Sequence, residues 1–233
     1  MNLSLRLTEV KNTVRPCATA CDIGCDHGYV SIALVKENRA HHVIACDVNK
    51  GPLEAANGNI KAEGLEEFIE TRLSDGLHNV DVSDRPDTII IAGMGGRLME
   101  RILTEGSEVV KNAGQLVLQP QSELFLVRKW LRENGFVING EKALIDDDKH
   151  YFIIDAVPGT APSFDESLQA VYDEFSFSLI NENDNVLRGY LNKLLDNNNK
   201  YLEGIKGDKR RALEDRNELI MKVLAMMDGV SKE

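Results

Sequence analysis

The sequence runs to 233 residues, 42% of them apolar and 28% charged, with a formal net charge of −11. An apolar fraction of that size supports a core and excludes wholesale disorder. No uninterrupted apolar run approaches the ~20 residues that span a bilayer, and the amino terminus lacks the apolar stretch of a secretory signal, so a cytoplasmic chain is expected.

From residue 19 to residue 157, strand-like and helix-like segments alternate. Strands are predicted over 19–23, 42–47, 69–73, 88–92 and 115–119, as near-continuous apolar runs suited to a sheet covered on both faces. Helices are predicted between them over 29–38, 52–63, 96–104 and 123–134. Pro52 reads as a first helical position, and Glu63-Gly64 and Asn134-Gly135 read as carboxyl-terminal stops. Such alternation gives a parallel, doubly wound α/β sheet. The runs 136–144 and 151–157 then have only the polar turn 145–150 between them, which is too short for a helix. The sheet is therefore expected to end in an antiparallel hairpin, seven strands in all.

Pro158-Gly159-Thr160-Ala161-Pro162 marks the expected boundary between a domain of residues 1–160 and a helical hairpin domain of residues 161–233. Beyond it, apolar positions recur by threes and fours, including Val171, Phe175, Leu187, Leu191, Ile220 and Val223. Two long antiparallel amphipathic helices with a break near residues 204–207 fit that spacing. The charge is unevenly spread: −4 over residues 1–145, −9 over 146–186 and +2 over 187–233. The bulk figure argues against a polyanion partner, but the tail holds a cluster of Lys206, Lys209, Arg210, Arg211 and Arg216. That cluster is either a polyanion footprint or a solvated helix face.

Cys17, Cys21 and Cys25 are evenly spaced and Cys46 follows. A strand through this region would set Cys17 and Cys21 about 13 Å apart, too far to share one metal. No metal is expected; free thiols in a reducing compartment account for all four.

The strongest local signal is Asp22-Ile23-Gly24-Cys25-Asp26-His27-Gly28 at the end of the first strand. Gly24 and Gly28 allow a tight turn close to a ligand. A dinucleotide fingerprint has glycine where Asp26 stands, so a pyrophosphate would meet a carboxylate. A ligand carrying a sulfonium and an ammonium suits that charge better, which favours S-adenosylmethionine (SAM) over NAD. Asp47 ends the second strand, 25 residues after Asp22, where a carboxylate accepts both hydroxyls of a ribose; helix N-capping is its alternative role. Asp75-Gly76, after the third strand, can reach an adenine amino group or form an ordinary turn. Val48 and Ala92 flank these positions. Gly93-Met94-Gly95-Gly96 at the end of the fourth strand implies close backbone approach to the cofactor or to a flat substrate, and Gln119 and Gln121 offer amides at the same crevice.

These residues resemble the bacterial tRNA (adenine(22)-N(1))-methyltransferases. The matching pieces are Ser4-Leu5-Arg6-Leu7, the Asp22–Gly28 loop, Gly51-Pro52, Asp75-Gly76-Leu77, Ile91-Ala92-Gly93-Met94-Gly95-Gly96, Leu118-Gln119-Pro120-Gln121 and Arg128-Lys129-Trp130-Leu131. Gly28 and Cys25 stand where small residues vary, and Gln121 stands where asparagine is expected. The resemblance implies a Rossmann-like class I SAM methyltransferase domain with a coiled-coil-like helical tail, and methyl transfer from SAM to N1 of an adenine in the D-arm region of tRNA. Asp26 and His27 become the candidate catalytic pair, with a loop scaffold as the alternative. Arg6, Gln119, Gln121, Lys206, Lys209, Arg210 and Arg211 become candidate tRNA contacts, unless the tail only packs or dimerises. A methyltransferase acting on a small molecule or protein, a non-catalytic SAM-binding module and an NAD oxidoreductase are the competing readings. The last is disfavoured by Asp26 and the terminal hairpin.

Overall fold

The computed structural model describes residues 3–229. The first two residues, part of the amino-terminal reading above, and the last four, at the end of the helical tail, lie outside them.

Ser4 caps the first helix, its hydroxyl accepting from the Leu7 amide at 3.3 Å, and α1 (Leu5–Thr13) follows. The α/β alternation then runs β1 (Cys17–Ile23), α2 (Tyr29–Lys36), β2 (Ala40–Asp47), α3 (Lys50–Ala62), β3 (Ile69–Leu73), β4 (Thr88–Gly95), α4 (Gly96–Glu105), α5 (Ser107–Val110), β5 (Gln115–Ser122) and α6 (Leu124–Glu133). The hairpin β6 (Phe136–Asp146) and β7 (Lys149–Pro158) completes one seven-stranded sheet in the order β3-β2-β1-β4-β5-β7-β6. The first five strands are parallel and β7 lies antiparallel to β5, as the alternation and the helix-free 136–157 segment predict. Asp147 and Asp148 turn the hairpin with φ of 48° and 58°, the left-handed pair that matches strand twist in a two-residue loop.

Apolar packing on both faces explains the unbroken strand sequences. Ile89, Ile90 and Ile91 of β4 are all fully buried, so successive side chains on opposite faces meet packed helices. Several details differ from the sequence reading, among them the hairpin turn, which is Asp147-Asp148 alone and not residues 145–150. Helix α3 begins at Lys50, which makes Pro52 the third helical residue, still in the first turn where an absent N–H costs no helical bond. Strands β4 and β5 run three residues beyond their predicted ends by pairing through a bulge, Met94 opposite Pro120 and Gly95 opposite Ser122. Helices α1 and α5 were not predicted.

The chain forms two compact units. One runs through Gly140 and resumes over Tyr151–Pro162; the other takes the hairpin tip, Glu141–His150, with the chain from Ser163. In the second unit, α7 (Glu166–Phe175) and α8 (Phe177–Asn181) precede the two long helices, α9 (Asn185–Leu202) and α10 (Asp208–Met227). These run antiparallel, with Arg188 paired to Asp228 and Asn198 to Asn217, both at 2.8 Å. Leu187, Leu191, Ile220 and Val223 are buried in that unit. Asn217 also donates to Asn199 at 3.0 Å, so a buried amide pair stands in an otherwise apolar seam. No helix among the described residues is long and apolar enough to cross a membrane.

Candidate active site

At the carboxyl ends of β1 to β4 lies a cavity of about 640 Å³, the crevice where open α/β sheets bind ligands. The exits of all four strands line it, and α1, α2 and α4 close its sides. Of the cofactor candidates, Asp22, Gly24, Cys25, Asp26, Asp47, Val48, Asp75, Gly76, Ala92, Gly93 and Met94 face it. Gly28 and Gly95 do not. Gly28 begins α2 with a Cβ position only 3.2 Å from that of Ala56, so close packing of α2 on α3 requires its missing side chain. Gly95 precedes α4 as its N-cap.

Asp47 organises the centre. One carboxylate oxygen accepts from the Asn49 amide at 2.8 Å and the other from the Asp26 amide at 3.2 Å, so the side chain ties the β1 exit to the β2 exit. It therefore orders the approach to α3 without capping it, since α3 starts after Asn49. Each oxygen keeps a second lone pair, as a vicinal diol requires. Asp26, held at φ 51°, is a non-glycine residue in the left-handed region, and the bond to Asp47 helps hold it there.

Asp22 is buried and accepts the Ser31 hydroxyl at 2.6 Å. Burial pushes its carboxyl up to about 6; the Ser31 bonds oppose that rise, and the nearby Asp47 adds to it. Cys25 also faces the cavity, and burial first, then Asp22 and Asp47, push its thiol up, so it is a poor nucleophile at neutral pH. Cys21 and Cys46 are buried in the sheet.

At the mouth, the Asp26 carboxylate is about two-thirds exposed and stands 3.6 Å from His27 Nε2. The His27 ring stacks on Tyr29 with centroids 5.5 Å apart. Across the cavity, Arg101 of α4 grips both oxygens of Asp75, at 2.8 and 3.3 Å, and that guanidinium holds the Asp75 carboxyl below its usual range. Gly24, at φ 75°, leaves the space that the Met94 methyl occupies; any side chain there would collide with it.

Of the candidate substrate residues, Arg6 and Gln121 line the cavity. Gln119 is wholly buried behind it, accepting from Arg6 Nη1 at 2.8 Å and from the Gly93 amide at 3.1 Å. Lys206, Lys209, Arg210 and Arg211 are exposed at the start of α10 and before it, in the other compact unit. Arg210 pairs with Glu214 at 2.9 Å.

Sequence reasoning missed Tyr29, Leu98, Arg101 and Ile102, all of which face the cavity. On α4 the signal was available: Leu98, Arg101 and Ile102 follow helical spacing from the strand exit and share its cavity-facing side. The resulting site holds four carboxylates and two guanidiniums, and both guanidiniums are already engaged by Gln119 and Asp75. Such a lining fits an adenosine-type ligand whose far end is cationic, and it disfavours a phosphate.

Comparison with known proteins agrees. Residues 3–154 match the family model of a methyltransferase domain. The tRNA (adenine(22)-N(1))-methyltransferase of Bacillus subtilis (strain 168) is 32% identical over 178 residues, covering 76% of this chain and 71% of that protein. Among solved structures, Streptococcus pneumoniae Sp1610 in complex with S-adenosyl-L-methionine is 34% identical, with a TM-score of 0.87 over 96% of this chain and 100% of that one. The TrmK structure from M. capricolum, bound to S-adenosyl-homocysteine (SAH), is 25% identical, with a TM-score of 0.87 over 97% of this chain and 99% of that one. With the methyltransferase-domain model matched over residues 3–154 and the Bacillus subtilis relative covered over 71% of its length, the chain belongs to the tRNA (adenine(22)-N(1))-methyltransferase family.

Proposed function

We propose that this protein methylates N1 of adenine 22 in the D-arm region of tRNA, using SAM. The observation that carries the reading is the carboxylate-rich cavity at the strand exits: Asp47 with two oxygens placed for a ribose, and buried Asp22 short of a cationic partner. SAM, when bound, supplies an electrophilic methyl group on a sulfonium. Asp47 would hold its ribose, Asp75 its adenine amino group, and Asp22 its ammonium.

N1 of neutral adenine has a free lone pair, so attack needs no strong base. The chain's work is to strip water from the reactants and align them. The methylated base carries a positive charge, and Asp26 at the mouth is the carboxylate best placed to offset it as it develops. Because most of that side chain faces water, screening limits its contribution, and we assign Asp26→Asn a rate loss of about tenfold where a buried group would give a hundredfold or more. His27 orients Asp26 and, stacked on Tyr29, forms an aromatic surface at the entrance. The target base leaves its own stack to reach the pocket. In this reading residues 1–160 carry the chemistry, while residues 161–233 hold tRNA through Lys206, Lys209, Arg210 and Arg211, in the cytoplasm.

The test is methyl transfer from labelled SAM to an unmodified tRNA transcript carrying adenine 22, beside the same transcript with guanine 22. Label confined to the first supports the reading. Absence of transfer to either, or equal transfer to both, rejects it.

A further inference from the structure

Gln119 joins three parts of the molecule that are far apart in sequence. Its Oε1 accepts from Arg6 Nη1 on α1 at 2.8 Å and from the Gly93 amide at the β4 exit at 3.1 Å, while its Nε2 donates to the Pro120 carbonyl at 3.1 Å. The side chain is fully buried. Gly93 lies at φ 81°, within the stretch where the β4–β5 register shifts between Ala92 and Met94, so its amide is bonded by a side chain there. Arg6 lies over the Tyr151 ring, 5.4 Å from its centroid, and its Nη1 would come within 3.6 Å of a Cβ on Gly93. Arg6, Gly93 and Gln121 border one stretch of the cavity wall, since a Cβ on Gly93 would also lie 3.8 Å from Gln121 Nε2.

We propose that Gln119 is a positioning residue for the methyl acceptor: it fixes the Arg6 guanidinium and the Gly93 backbone as one wall against which the adenine is aligned. The inference rests on the methyltransferase reading above. A neutral amide suits the task because a single oxygen serves two donors while its nitrogen satisfies the neighbouring carbonyl. Leucine fills a similar volume with neither bond, so the Gly93 amide loses its side-chain acceptor and Arg6 loses its tie to β5. Glutamate keeps both acceptor bonds and loses only the one to Pro120.

Three variants test this: Gln119→Leu, Gln119→Glu and Arg6→Met, each assayed for SAH affinity by calorimetry and for kcat on the adenine-22 transcript at saturating SAM. Gln119→Leu is expected to lower kcat about tenfold to a hundredfold, the cost of a small misalignment of reactants, with SAH affinity within about threefold of the parent. Gln119→Glu is expected to recover most of that loss. Adding Arg6→Met to Gln119→Leu is expected to cost much less than Arg6→Met alone, since Gln119→Leu has already released the Arg6 guanidinium from its bond. The proposal is overturned if Gln119→Leu keeps full kcat, if glutamate rescues nothing, or if the two losses multiply independently. Should Gln119→Leu fail to bind SAH, the glutamate variant and its combination with Arg6→Met decide the matter by the same criteria. A parent protein that binds SAH but transfers no methyl defeats the functional reading instead.

Discussion

Asp22 makes cofactor binding depend on pH in a calculable way. Its carboxyl titrates near 6 in the free protein because burial disfavours the charge, against an ordinary value of 3.8. A group whose folded-state value is raised stabilises the fold at low pH and loses that contribution as pH rises through 6. At pH 7 the ligand-free chain therefore bears a cost of up to about 3 kcal/mol for the ionised side chain. An ammonium brought to Asp22 relieves it, so the ligand binds the ionised form. Affinity then scales with the ionised fraction, which is about one-tenth at pH 5 and about nine-tenths at pH 7. SAH, which keeps the ammonium and lacks the sulfonium, is expected to bind about tenfold more tightly at pH 7 than at pH 5, releasing about half a proton at pH 6. Calorimetry in buffers of differing ionisation enthalpy reads both quantities. Asp22→Asn should flatten the profile. A wild-type affinity constant across this range, or an equal pH step in Asp22→Asn, would refute the assignment of Asp22 to the cationic end of the ligand.

Asp47→Ala is expected to weaken SAH binding roughly tenfold to a hundredfold, the worth of hydrogen bonds to a charged acceptor, with a further contribution from freeing the Asp26 and Asn49 amides; titration calorimetry checks it. A Cβ at Gly96 would stand 2.7 Å from the Ser122 carbonyl oxygen and nearer still to that of Glu123, so Gly96→Ala should cost about 1–3 kcal/mol in chemical denaturation. Asn217→Leu strands a buried amide on Asn198 and should destabilise by about 1–3 kcal/mol, whereas the double Asn198→Leu, Asn217→Leu change should recover most of that while broadening the oligomeric distribution in light scattering. Reversing the charge of Lys206, Lys209, Arg210 and Arg211 should weaken tRNA binding and flatten its salt dependence, by up to about 0.7–0.9 log units per lost phosphate contact.

The sheet was readable because each buried strand is an apolar run and each crossover helix carries its own stop signals. Asp22, Asp47 and Asp75 were readable for a related reason: they lie at or just past the carboxyl ends of strands, where this topology places its crevice. What escaped the sequence depended on three-dimensional neighbours. Helix α1 mixes Leu5, Leu7 and Val10 with Arg6, Glu9 and Lys11 over nine residues, too short a stretch for periodicity to declare itself. Helical spacing could have placed Arg101 on the cavity side of α4, but its partner Asp75 is 26 residues away and no sequence pattern pairs the two. Gln119 was placed at the crevice because it ends an apolar run. Its side chain is instead buried, where the oxygen accepts from Arg6 and from the amide of Gly93, the unpaired residue of the β4 bulge. The −11 is a bulk figure, and the local sign over residues 187–233 differs from that of the middle of the chain.

The hairpin tip belongs to the same compact unit as the carboxyl-terminal helices, so the chain crosses between units at 140/141, at 150/151 and at 162/163. No single cut separates them. A fragment ending at residue 162 keeps the tip but loses what packs on it within that unit, beginning with Tyr190, whose ring lies 5.3 Å from His150. A fragment starting at residue 163 has the opposite defect. Deleting the helices to ask what they contribute would therefore also damage a β-hairpin that continues into the catalytic sheet. Point substitutions on the helix surface ask the question cleanly, and a truncated enzyme that loses activity says little about tRNA binding.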